Sequence, residues 1–120
     1  MTANYKKSDS DTRPWGTWEV LDAGDTYTVK KITVLPEKIL SLQSHNHRDE
    51  HWIVVSGTAK VRIGDKTVLA EANTPFFIPA KTLHRIENAG KTPMVFIEVQ
   101  TGELLDENDI IRYEDAYGRV

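Results

Sequence analysis

The sequence predicts an all-β sandwich or barrel. Short segments rich in β-branched and aromatic residues recur about every 8–12 residues, the spacing of such folds. Turns carrying Gly, Asn or Pro separate them, and no amphipathic helix of ordinary length and no simple repeat interrupts the pattern. At 120 residues the chain is long enough for one core and too short for two.

Taken in order, residues 1–12 are polar and read as a loosely held arm. A single domain is expected over 13–120. It opens on Arg13-Pro14-Trp15-Gly16-Thr17-Trp18, whose two indoles are large apolar contributors when buried. This stretch is expected to dock as an N-terminal strand or cover, with Arg13 read either as surface or as the edge of a site. Tyr27 to Leu35 is a β-branched run stopped by Pro36. From Ile39 to His45 the chain alternates, with Leu40, Leu42 and Ser44 on one face and Ser41, Gln43 and His45 on the other. Trp52 to Val55 is apolar at every position and reads as a strand buried on both faces. Thr58 to Ile63, Gly64-Asp65, and Lys66 to Ala70 form a hairpin pattern, Gly first in a two-residue loop suiting a type II′ turn. Phe76 to Ile78 is a short strand. His84 to Asn88 alternates, with His84, Ile86 and Asn88 on one side, and Met94 to Gln100 is the last strong strand. The charged tail is expected to form one helical turn over Glu107–Tyr113.

Composition narrows the function. Net charge is −3 and the isoelectric point about 5.8, without a Lys/Arg stripe, which argues against a nucleic-acid partner. No apolar run approaches the roughly 20 residues that span a membrane. The polar start lacks the apolar segment of a secretion signal, and there is no cysteine, hence no disulfide and no thiol nucleophile. A cytoplasmic setting fits these features.

The chemistry concentrates in one stretch, Gln43 to Trp52, which holds three of the four histidines. Residues two apart share a face of a strand, so His45 and His47 are expected to converge. Glu50 follows after a short gap in which a bend brings a carboxylate to the same point. Imidazole with carboxylate is the donor mix of a divalent transition metal, with Zn, Mn, Fe, Co and Ni all open. Gln43 shares the parity of His45 and is either a further ligand or a polar barrel residue. The fourth histidine, His84, is distant in sequence.

Read together, His45-x-His47, Glu50 and Gly57 resemble the first cupin motif, and Pro79, His84 and Asn88 the second. The chain has Asn73 and Lys81 where the second motif usually has Gly, and it is one residue short between His47 and Glu50. The resemblance implies a cupin double-stranded β-helix of the jelly-roll kind, with His45, His47, Glu50 and His84 meeting around one metal. A closer likeness runs from about Arg13 to Arg119: Arg13-Pro14-Trp15-Gly16, Leu42-Gln43-x-His45-x-His47-Arg48-x-Glu50-His51-Trp52, Ile78-Pro79-Ala80, His84-Arg85, Glu98-Val99-Gln100-Thr101-Gly102 and Asp109-Ile110-Ile111-Arg112-Tyr113-Glu114-Asp115-x-Tyr117-Gly118-Arg119. These resemble the type II mannose-6-phosphate isomerase domain, commonly the C-terminal part of bifunctional mannose-1-phosphate guanylyltransferase/isomerases. No Gly-rich nucleotide-binding loop is present, so a free-standing isomerase domain is expected.

The resemblance implies interconversion of mannose 6-phosphate and fructose 6-phosphate. Such a reaction needs a base that takes and returns a proton, for which Glu98 and His51 are the candidates. It also needs cations for the phosphate, for which Arg48, Arg85 and Arg112 are candidates ahead of Lys81. A homodimer joined through the Trp-rich segment is expected. The competing readings are another cupin reaction on a sugar, such as isomerisation of a free aldose, and a sugar-binding cupin without turnover.

Overall fold

The computed structural model describes residues 5–105 and 108–117. The first four residues of the expected arm, residues 106 and 107 of the acidic tail, and Gly118 and Arg119 of the resemblance lie outside them. Among the described residues there are eleven strands and no helix. Among the described residues no helix is long and apolar enough to cross a membrane.

The strands are β1 (Ser10–Arg13), β2 (Gly16–Ala23), β3 (Tyr27–Val34), β4 (Leu42–Ser44), β5 (Asp49–Ser56), β6 (Ala59–Ile63), β7 (Lys66–Ala70), β8 (Pro75–Ile78), β9 (His84–Asn88), β10 (Met94–Thr101) and β11 (Ile111–Glu114). They form a six-stranded sheet, β1-β2-β3-β10-β5-β8, and a five-stranded sheet, β11-β4-β9-β6-β7, with every pairing antiparallel. This is the all-β, two-sheet architecture that the strand spacing predicts and the jelly roll that the resemblance implies.

Strict alternation decides which side chains enter the barrel. In β3 the buried residues are Thr28, Lys30, Ile32 and Val34; in β10 they are Met94, Phe96, Glu98 and Gln100; in β5 they are Glu50, Trp52 and Val54. The register aligns these sets. Val34 faces Met94, Ile32 faces Phe96, Lys30 faces Glu98 and Thr28 faces Gln100, while Trp52 and Glu50 oppose Glu98 and Gln100 from the other side. The interior is therefore divided along the strands. One end is a dry core of Trp15, Val34, Val54, Met94 and Phe96. The other end is polar: Lys30, Glu50, Glu98 and Gln100 stand there where a plain core would carry aliphatic side chains.

Several expectations are corrected. Trp52 to Val55 is not buried on both faces: Ile53 and Val55 are each 49% exposed, because the outer face of β5 is uncovered. No helical turn forms over 108–113, the described part of the stretch expected to hold one. Ile111–Glu114 is a strand paired with the free edge of β4, and edge pairing outweighs the weak local helix preference of that stretch. Strand β1 begins inside the segment expected as an arm, since Ser10, Asp11 and Thr12 pair with β2. The Trp-rich segment docks as expected: Gly16–Ala23 is a strand, Trp15 is packed into the core and Trp18 lies against it.

Glycine is required at the end of the first cupin motif. Gly57 has φ 83, and a Cβ there would meet the Met94 Cα at 2.9 Å. Asn73 and Lys81, standing where the second cupin motif usually has Gly, adopt φ 75 and 67. The left-handed turn is thus kept without the glycine. Asn tolerates it through its short polar side chain. At Lys81 the backbone N–H donates to the His45 carbonyl at 2.6 Å, tying the turn to the loop that carries His45.

Candidate active site

The site is built from β3, β5, β9, β10 and the loop after β4. β4 ends at Ser44, and the chain bends at Asn46 and His47, whose backbone N–H groups donate to the Asp109 carboxylate at 3.1 and 2.9 Å. The strand parity that was to align His45 with His47 therefore fails. His45 turns inward and is buried; His47 is exposed and stands apart from the other candidate ligands. The carboxylate of Asp109 has a specific task, holding the bend that separates the two histidines.

His45, Glu50 and His84 do come together, with one ligand atom from each lying within 4.8 Å of the others. All three are buried, and the His45 and His84 rings stack with centroids 5.0 Å apart. The His84 Nδ1–H donates to the Thr82 carbonyl at 2.9 Å, which leaves Nε2 as the bare lone pair. That buried Nε2 has no hydrogen-bond partner and lies 3.9 Å from Glu50 Oε1. A backbone carbonyl on one ring nitrogen and an orphaned lone pair on the other is what a metal-ligating histidine requires. Two imidazoles and a carboxylate fit a divalent transition metal. Replacing His84 by Ala is expected to weaken binding of a divalent ion by more than about 100-fold, a larger loss than removing a ligand's supporting partner. His47→Ala should leave affinity within about twofold, read by calorimetric titration of the stripped protein. Equal losses in both variants would contradict the separation of the two residues.

Arg48 is 7% exposed and bridges this group. Its Nε donates to Glu50 Oε2 at 2.9 Å and its Nη2 to His45 Nε2 at 2.8 Å. His45 Nδ1 lies 3.2 Å from Glu50 Oε2. Burial, reinforced by the charge of Arg48 and by His84, lowers the His45 pKa to about 2. Burial alone would raise Glu50, but the Arg48 guanidinium and His84 hold it down at about 2.

Glu98 stands next to this group without belonging to it. The Trp52 Nε1–H donates to both carboxylates, 2.9 Å to Glu50 and 3.1 Å to Glu98, and Gln100 Nε2 donates to Glu98 Oε2 at 2.8 Å. Burial, then the negative charge of Glu50, raises Glu98 to about 7. The site thus holds two adjacent carboxylates driven apart in acidity, one fixed as an anion and one poised near neutrality.

A cavity of about 420 Å³ opens over this arrangement. Its wall includes Arg13, Lys30, His45, Arg48, Glu98 and Arg112. Glu50 and His84 lie behind His45, each 1% exposed. Of the candidate phosphate anchors, Arg48 and Arg112 line the cavity. Arg85 does not: its guanidinium is held by the Leu40 carbonyl at 2.9 Å and the Glu114 carboxylate at 3.1 Å. His51 is also outside, because the parity that buries Glu50 sends His51 to the outer face, where its ring packs on Phe77. Gln43 lines the cavity as a wall residue opposite His84. Lys30, Trp18 and Tyr5 are cavity residues that sequence reasoning missed. The parity of β3 would have indicated Lys30, which shares a face with Ile32 and Val34.

A double-stranded β-helix with a buried two-histidine, one-carboxylate group that could hold a metal, beside a cavity lined with cationic side chains, is the architecture of a cupin. The match to known proteins is more specific. The family described as Mannose-6-phosphate isomerase C-terminal matches residues 2–115, and the chain belongs to it. The xanthan biosynthesis protein XanB of Xanthomonas campestris pv. campestris (strain B100) is 53% identical over 108 residues, covering 90% of this chain and 23% of that protein. The mannose-1-phosphate guanylyltransferase ManC of Salmonella typhimurium is 50% identical over 108 residues, covering 90% of this chain and 22% of that protein. The chain thus spans less than a quarter of the curated relatives it matches. Among solved structures, an uncharacterised Klebsiella pneumoniae protein with a double-stranded beta-helix domain has a TM-score of 0.70 at 19% identity, covering 81% of this chain and 83% of that one.

Proposed function

We propose that this domain is a metal-dependent aldose–ketose isomerase that interconverts mannose 6-phosphate and fructose 6-phosphate. The observation that carries this reading is Glu98: a buried carboxylate on a cavity wall, adjacent to a ligand group but not part of it, with its acidity shifted to about 7. A general base works best with a pKa near the operating pH. The family and the relatives' names supply the substrate class, a mannose phosphate.

In this reading Glu98 takes the proton from one sugar carbon and returns it to the next. Trp52 and Gln100 fix its two oxygens so that the carboxylate does not rotate away. Arg13 and Arg112 bind the phosphate. Arg13 suits the rim: its side chain is 40% exposed and paired with exposed Asp11, an ion pair that contributes little in water. Arg48 keeps Glu50 anionic as a ligand. A divalent ion held by His45, Glu50 and His84 would supply Lewis-acid polarisation of the substrate oxygens.

The test is a coupled assay with mannose 6-phosphate on metal-stripped protein, repeated with each divalent metal restored and with free mannose in place of the phosphate. Turnover of the phosphate alone is expected, dependent on added metal. Turnover of free mannose would move the reading to a free-sugar isomerase, and sugar-phosphate binding without turnover to a binding cupin.

A further inference from the structure

Lys30 is a charged residue on the inward face of a core strand, 7% exposed, with Thr28 and Ile32 as its neighbours on that face. Lysine is rarely buried this far without a task. Its ammonium lies 3.7 Å from the centre of the Tyr5 ring and 4.7 Å from that of Trp18, so two aromatic faces hold a flexible side chain in one place. Register puts Lys30 directly opposite Glu98 on the neighbouring strand, and both line the same cavity.

Two simpler roles fit less well. As a counter-ion Lys30 is redundant at Glu50, where Arg48 already donates at 2.9 Å, and at Glu98 its charge only partly offsets the rise caused by burial and Glu50. As a phosphate anchor it lacks the planar fork that matches phosphate oxygens, which Arg13 and Arg112 bring to the same cavity. A compact ammonium on the strand opposite the base, lining the same cavity, is instead suited to a single oxygen next to the carbon being deprotonated.

We propose that Lys30 is a catalytic residue that binds the substrate oxygens gaining and losing charge while Glu98 moves the carbon-bound proton. This rests on the isomerase reading. Starting from the open-chain aldose, Glu98 removes the C2 proton. The C2–H electron pair forms the C1=C2 bond and the carbonyl π pair passes to O1, which takes a proton from Lys30. Lys30 then recovers a proton from the O2 hydroxyl. That O–H pair forms C2=O2, and the C1=C2 π pair takes the proton back from Glu98 at C1. Atoms and charge balance without a co-reactant.

The experiment compares the unsubstituted protein with Lys30→Met and Lys30→Ala, all metal-loaded, at a temperature where circular dichroism shows each folded. The expected result is a fall in kcat of about 10²–10³-fold in both variants, the scale of removing one preorganised donor. KM for the sugar phosphate should stay within about threefold. Added n-propylammonium, which replaces the atoms lost in Lys30→Ala, should restore part of that kcat. A structural role would not respond to the amine. Retention of kcat in either variant, or a raised KM at unchanged kcat, would overturn the assignment and leave the isomerase reading standing. An inactive unsubstituted protein with every metal would overturn both.

Discussion

Replacing Glu98 by Gln is expected to lower kcat for sugar-phosphate isomerisation by about 10²–10⁴-fold, the usual contribution of a positioned acid–base group. KM and the affinity for divalent metal should change little, because Glu98 lies outside the His45, Glu50 and His84 group. The fold should also tolerate the change. The buried neutral form is what burial and the charge of Glu50 already favour at this position, and Gln resembles that form. Gln can donate an N–H toward Glu50 and accept from Trp52, which now bridges the two carboxylates at 2.9 and 3.1 Å. Gln100 then needs its amide reversed, and it can do so, since its Oε1 is buried without a partner. Steady-state kinetics with a melting curve separates these effects. A kcat within about threefold of the unsubstituted protein would remove Glu98 as the base and leave the cavity without a buried carboxylate for that role.

How far the site was legible follows from strand parity. Where a strand runs unbroken, as β10 does across Glu98 and Gln100 or β9 across His84, Ile86 and Asn88, the period of two assigns the inward residues correctly. It fails where the strand stops. His45 and His47 look like one face, but β4 ends at Ser44 and Asp109, from a distant part of the chain, captures the bend. No pattern local to residues 43–52 contains that contact. His51 was misjudged for the opposite reason: β5 is continuous, and burying Glu50 necessarily exposes its neighbour. Lys30 was hidden by Lys31. Two adjacent lysines in a β-branched run read as a solvated edge, whereas alternation admits one of them to the interior and the aromatic rings of Tyr5 and Trp18 receive it. Arg85 and Arg112 cannot be ranked from sequence at all, since what separates them is whether Glu114 and a backbone carbonyl capture the guanidinium.

The metal-free protein should unfold steeply in acid, with two protons taken up on unfolding. Glu50 titrates near 2 in the fold and near 4.5 in the open chain, so its stabilising contribution is complete above about pH 4.5 and is lost as pH falls toward 2. His45 also titrates near 2 in the fold but near 6.5 when released. Below 6.5 the unfolded chain binds a proton that the folded protein refuses, so His45 too destabilises the fold as pH falls. Glu98 acts in the other direction. Its folded value near 7 exceeds 4.5, so its contribution is complete below about pH 4.5 and is lost as pH rises through 7. Between about pH 6.5 and 4.5 the terms from His45 and Glu98 therefore oppose each other and the stability curve should be shallow. Below about pH 4.5 Glu98 is protonated in both states, and nothing in the site opposes Glu50 and His45. Two protons correspond to a slope of about 2.7 kcal/mol per pH unit. Over the window this reaches about 6 kcal/mol, comparable to the whole stability of many domains. Urea unfolding measured at several pH values across this window checks the slope. Glu50→Gln should reduce it to about half, leaving the proton taken up by His45. A stability that changed by less than about 1 kcal/mol between pH 4.5 and 3 would mean that the metal-free fold neither holds Glu50 ionised through Arg48 nor keeps His45 neutral.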